Sequence, residues 1–160
     1  MIFIGYLGCG DNTVTNRRVV VLDADCFLKS NDGSTIPDDW YVYYCKVAET
    51  LSNQGLTVIV MWNEDIKNYL IENHTEPICC LVPALELKDY WIDKLTKRYD
   101  SNPTDKTFST LDYVKNHYTE DVNKLLDECN NGKYDYYKIV NDMNYKLDDV
   151  INYFLISIAL

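Results

Sequence analysis

Near the amino terminus, Gly5-Tyr6-Leu7-Gly8-Cys9-Gly10-Asp11-Asn12-Thr13 carries glycines at the spacing of the phosphate-cradling loop G-x-x-x-x-G-K-[ST]. In a working loop the glycines let backbone N–H groups converge on phosphate oxygens. A lysine then neutralises the group in transfer, and the hydroxyl after it holds magnesium. Here Asp11 stands at the lysine position and Asn12 at the hydroxyl position, with Thr13 one residue later. A carboxylate about 4 Å from a phosphate charge costs on the order of 4 kcal/mol at an effective dielectric near 20. The loop therefore predicts weak triphosphate binding in the usual pose. A glycine-containing turn without any ligand is the competing reading.

A second group of candidates lies further along. Asp23 and Asp25 follow the apolar run Arg18–Leu22, at the carboxyl end where open parallel sheets place their ligands. They could act as a general base toward an acceptor hydroxyl; turn formation and helix capping are the structural alternative. Lys94 and Arg98, four residues apart, share one face of a helix and could lie over phosphates, with Arg17 and Arg18 as further cations. The two histidines, His74 and His117, lack metal-ligand spacing to any cysteine and no nucleophile pattern surrounds them, so no metal and no triad-type hydrolase chemistry is expected.

Composition narrows the function classes. The 160 residues are 47% hydrophobic, enough for one domain over 1–160 with a single core. No apolar run near either end is long enough for a membrane span, so a cytoplasmic protein without a membrane role is expected. The net charge of −10 disfavours direct nucleic-acid binding and favours basic partners. The six cysteines fall in apolar segments and read as reduced core thiols. The 14 tyrosines, clustered at Tyr41, Tyr43, Tyr44, Tyr134, Tyr136 and Tyr137, suit a protein interface, although most are expected to cover the core.

These residues need elements to hold them, and the hydrophobic pattern supplies alternating strands and helices. Strands are expected at Met1–Ile4, Arg18–Leu22 (buried on both faces), Leu56–Trp62, Ile78–Val82 and Tyr134–Val140. Helices are expected over Pro37–Asn53, with Trp40, Tyr44, Val47 and Leu51 facing the sheet, and over Glu64–Glu72, Leu87–Arg98, Phe108–Glu128 and Asp148–Ile158. A polar loop is expected at Asp100–Pro103. The fold class is α/β: a single-domain parallel sheet of about five strands with flanking helices.

Leu22-Asp23-Ala24-Asp25-Cys26-Phe27, Gln54–Val60, and Leu81-Val82-Pro83 followed by Leu87–Tyr99 together resemble small P-loop nucleoside or nucleotide kinases of bacteria and their phages. The resemblance covers most of the chain. It implies that Asp23 and Asp25 face an acceptor substrate, that Leu87–Tyr99 is a cationic lid with Lys94 and Arg98 over the phosphates, and that Lys133–Val140 and Tyr145–Tyr153 pack beside a nucleotide base. It also implies ATP and Mg as cofactors if the site is active. Leu85 stands where such lids often have an arginine. Between the loop and the second strand only Val14–Arg17 remains in place of a helix whose amino end would point at the phosphates. With the loop lysine and that helix both missing, no cofactor is expected. The expected function is a degenerate kinase fold that acts by binding a protein partner. A phage or mobile-element inhibitor of a basic, nucleic-acid-handling host protein, such as an anti-CRISPR factor, would use the acidity directly. The alternative is an active kinase in which Lys94, Arg98 and Arg17 compensate for Asp11.

Overall fold

In the computed structural model, residues 1–10, 13–28 and 36–160 are described. Runs of Ile, Val, Leu and Cys form five strands: β1 (Ile2–Gly5), β2 (Val19–Val21), β3 (Thr57–Val60), β4 (Ile78–Pro83) and β5 (Tyr136–Val140). All pairings are parallel, in the order β2-β3-β1-β4-β5, with Ile2 in register with Val58 on one side and Ile78 on the other. Every residue of β1, β3 and β4 is buried, as strands covered on both faces require.

The helices are α1 (Asp25–Leu28), α2 (Trp40–Asn53), α3 (Glu64–Asn73), α4 (Lys88–Ser101), α5 (Asp105–Asn130) and α6 (Leu147–Ala159). Asn63 opens α3 by accepting from the Ile66 N–H at 3.1 Å, and Thr104 opens α5 in a capping box with Thr107. On α5 the buried residues Leu111, Val114, Tyr118, Val122, Leu125 and Cys129 recur every three or four positions, giving one stripe toward the core.

The architecture is the expected α/β parallel sheet, with local corrections. The second strand is not buried on both faces. It is a three-residue edge strand, half-buried, with Val21 47% exposed, and among the described residues no strand pairs its outer side. On α2 the core face is Tyr44, Cys45, Ala48 and Ser52, and Val47 points to solvent. α4 continues through Ser101 into the stretch expected as loop. The last strand starts two residues later than expected, leaving Tyr134 buried before it with its hydroxyl donating to Glu128 at 2.6 Å. Among the described residues 13–18, between β1 and β2, there is no α-helix.

The chain leaves central β1 for the far edge at β2, returns through β3, and only then crosses to β4 and β5. Connections leaving neighbouring strands β1 and β3 thus run in opposite directions along the sheet. In open α/β sheets the crevice at the carboxyl ends of such strands is the place for a ligand.

Candidate functional site

The loop after β1 enters that crevice, and its backbone is committed on one side to the helices that follow β4 and β5. The Trp91 indole N–H donates to the Leu7 carbonyl at 2.7 Å, the Lys94 ammonium to the Gly8 carbonyl at 2.7 Å, and the Tyr145 hydroxyl to the Cys9 carbonyl at 2.6 Å. Three consecutive carbonyls of the loop therefore face α4 and the segment before α6. The donors are themselves locked together: Trp91 and Tyr145 stack at 6.3 Å with an 11° interplanar angle, and Lys94 Nζ lies 5.0 Å and 5.5 Å from their ring centres. Burial pushes the Tyr145 hydroxyl well above its ordinary range, with Cys9 and Tyr118 adding to the rise, so it remains a protonated donor.

This packing also explains the glycines. Gly8 has φ +85°, and a Cβ there would meet Leu95 Cδ2 at 2.8 Å and Trp91 Nε1 at 3.2 Å. A Cβ at Gly5 would run into the Cys9 side chain. Packing within the protein thus requires two of the loop glycines, Gly8 because α4 presses on it and Gly5 because the Cys9 side chain lies against it. Lys94, expected over phosphates, instead bonds a loop carbonyl, because Trp91 and Leu95 on the same helix are buried against the loop and bring it within reach. Thr13 Oγ1 turns back to donate to the Gly10 carbonyl at 2.6 Å. Asp11 and Asn12 lie outside the described residues.

In front of the loop a cleft of about 550 Å³ opens at the carboxyl ends of β2, β3 and β1. Its floor is apolar, with Leu22, Met61 and Trp62; Val21 and Met61 are among the exposed large apolar side chains of the protein. Asp23 and Asp25 lie on the β2 side, and Arg98, Lys106 and Thr110 come from α4 and α5. Asp23 Oδ1 accepts from the Asp25 N–H at 2.9 Å, the turn-capping geometry at the start of α1. Tyr44 holds the back of the cleft: its hydroxyl donates to the Leu22 carbonyl at 2.6 Å and accepts from the Met61 N–H at 2.9 Å, tying the ends of β2 and β3. Of the candidates, Gly5, Gly8, Asp23, Asp25 and Arg98 meet around this cleft; exposed Arg17 is not in its lining.

Sequence reasoning missed Lys106, which precedes the helix expected from Phe108, Thr110 in that helix's first turn, and Trp62 at a strand end. It also missed a charge network built around one buried lysine beside Trp62. Lys67, 2% exposed, bonds Glu64 at 2.9 Å and Glu128 at 3.0 Å and lies 5.2 Å from the Trp62 ring centre, while Lys124 bonds Glu64 at 2.7 Å. Burial alone would raise the Glu64 carboxyl, but the two ammonium groups outweigh it and hold it below its ordinary range. Cys9, Cys45, Cys79, Cys80 and Cys129 are buried, and burial pushes the Cys45 and Cys79 thiols up to about 12. No helix among the described residues is long and apolar enough to cross a membrane.

No known family profile matches the sequence, and no curated protein matches it significantly. Among solved structures, the chain is similar to an uncharacterized protein from Eubacterium ventriosum ATCC 27560, with 15% identity, coverage of 99% of this chain and 97% of that one, and a TM-score of 0.51. At that identity the likeness concerns the fold alone.

Proposed function

We propose that this chain is a non-catalytic protein of P-loop-kinase-like architecture that acts by binding a basic protein partner. The observation that carries the non-catalytic half is the bonding of the Leu7, Gly8 and Cys9 carbonyls by Trp91, Lys94 and Tyr145. A phosphate loop must present N–H groups to its ligand, with a cationic lid beyond it. Here the space between loop and α4 is filled by the Trp91 and Leu95 side chains, and the loop turns acceptors toward it. A triphosphate placed there would meet carbonyl dipoles of its own sign.

The partner half rests on the surface. The net charge of −10 favours a positively charged partner, and exposed tyrosines accompany the carboxylates: Tyr90, 65% exposed, lies between Asp89 and Asp93 on α4. A nucleic-acid-handling protein, whose groove already accepts negative charge, is the partner class that fits. Such binding should weaken steeply with salt and be competed by nucleic acid.

The second reading, a kinase with unusual phosphate handling, is favoured by one observation: Asp23, Asp25 and Arg98 do line one cleft. Thermal unfolding with and without Mg-ATP separates the two. A ligand at 100 times its Kd stabilises by about 2.7 kcal/mol, a readily measured rise in midpoint. We expect no rise at millimolar Mg-ATP; a saturable one would overturn the occupied-loop reading and favour the kinase.

A further inference from the structure

We propose that the cleft in front of the loop binds a small zwitterion: an amine held by Asp23 and Asp25, an acid held by Arg98 and Lys106, and an apolar body lying over Met61 and Trp62. The inference is independent of whether triphosphate binds and adds a ligand to the protein-binding reading.

Three features carry it. The cleft's volume of about 550 Å³ suits a small molecule. Its charged lining is two carboxylates and two cations that come from different elements: Asp23 and Asp25 from the end of β2 and the start of α1, Arg98 from the last turn of α4 and Lys106 from the first turn of α5. Among the described residues no ion pair joins the two sets. Third, the cations are not consumed by the protein's own acids. Among the described residues, Arg98 and Lys106 have no carboxylate within ion-pair distance, although the chain carries 25 Asp and Glu against 15 Lys and Arg. Arg98 is moreover only partly exposed. A purely anionic ligand would be repelled by the carboxylates and a purely cationic one by Arg98 and Lys106. A molecule with both groups, spaced by an apolar body, satisfies each wall and covers the exposed Met61.

The test titrates the intact protein with para-aminomethylbenzoate and epsilon-aminocaproate, and with benzylamine and benzoate as singly charged controls. Binding is followed by the NMR signals of the Trp62 indole N–H and the Met61 methyl. At least one zwitterion should bind saturably and roughly tenfold or more tighter than either control. In D23N/D25N and in R98Q/K106Q that advantage should vanish, while the asparagine Oδ1 at position 23 can still accept from residue 25 and keep the turn. Zwitterions that bind no tighter than the controls, or an advantage that survives both double variants, would overturn the proposal. Because none of these probes carries a phosphate, failure here leaves the Mg-ATP result standing on its own.

Discussion

Replacing Lys94 by methionine keeps most of the aliphatic stem and deletes the ammonium that bonds the Gly8 carbonyl at 2.7 Å beneath two aromatic rings. A hydrogen bond from a charged donor contributes about 1.5–3 kcal/mol. Contact with the Trp91 and Tyr145 faces adds about 0.5–1 kcal/mol at a part-exposed site. Against this, the more easily ordered methionine returns up to about 1 kcal/mol of rotamer freedom. The net loss is about 2 kcal/mol, which in a chain of this size lowers the thermal midpoint by roughly 4–8 °C. Urea and thermal melts of the ligand-free protein read it directly. If Lys94 instead served as a cation waiting for phosphate, its removal would leave the ligand-free stability within about 0.5 kcal/mol of the parent, as for an ordinary surface lysine. A change that small would refute the reasoning.

Further predictions follow from the same geometry. Gly8→Ala combines a left-handed backbone with a clash against Leu95 and Trp91 and should cost about 2–5 kcal/mol, whereas Gly55→Ala, at φ +87° with nothing within 4 Å, should cost only about 1–2 kcal/mol; denaturant midpoints compare them. Glu64, held below its ordinary 4.5 in the folded state, contributes stability that is complete above that pH and lost as pH falls through its folded value, so Glu64→Gln should flatten the acid limb of a plot of urea midpoint against pH. Cys45 and Cys79, with thiols pushed up to about 12, should resist iodoacetamide at neutral pH in the folded protein and react once it is denatured, as mass spectrometry of the peptides will show.

Much of this fold is legible in the sequence because its signals are local. Val58-Ile59-Val60 and Ile78–Val82 are runs too apolar to be anything but buried strands, and Trp91 and Leu95, with Leu87 just before the helix, mark the inward face of α4. The placement of Asp23 and Asp25 on a cleft follows from their position just beyond a strand in a parallel sheet. What local pattern misses is long-range. The loop's three donors stand 84, 86 and 136 residues from their acceptors, and nothing in the spacing of Gly5, Gly8 and Gly10 distinguishes a glycine needed for phosphate from one needed under a tryptophan. Lys67 sits in the stretch Asp65 to Asn68 and reads as surface; only the arrival of Glu128, 61 residues later, permits its burial. Lys106 and Thr110 reach the cleft only because α5 packs along α4.

The most direct test of the occupied loop is the backbone amide spectrum of Gly8 and Gly10 during titration with Mg-ATP to millimolar concentration. With the Leu7, Gly8 and Cys9 carbonyls bonded by Trp91, Lys94 and Tyr145, both amides should hold their positions throughout. Saturable shifts of both, accompanied by loss of the Trp91 indole hydrogen bond, would contradict the account.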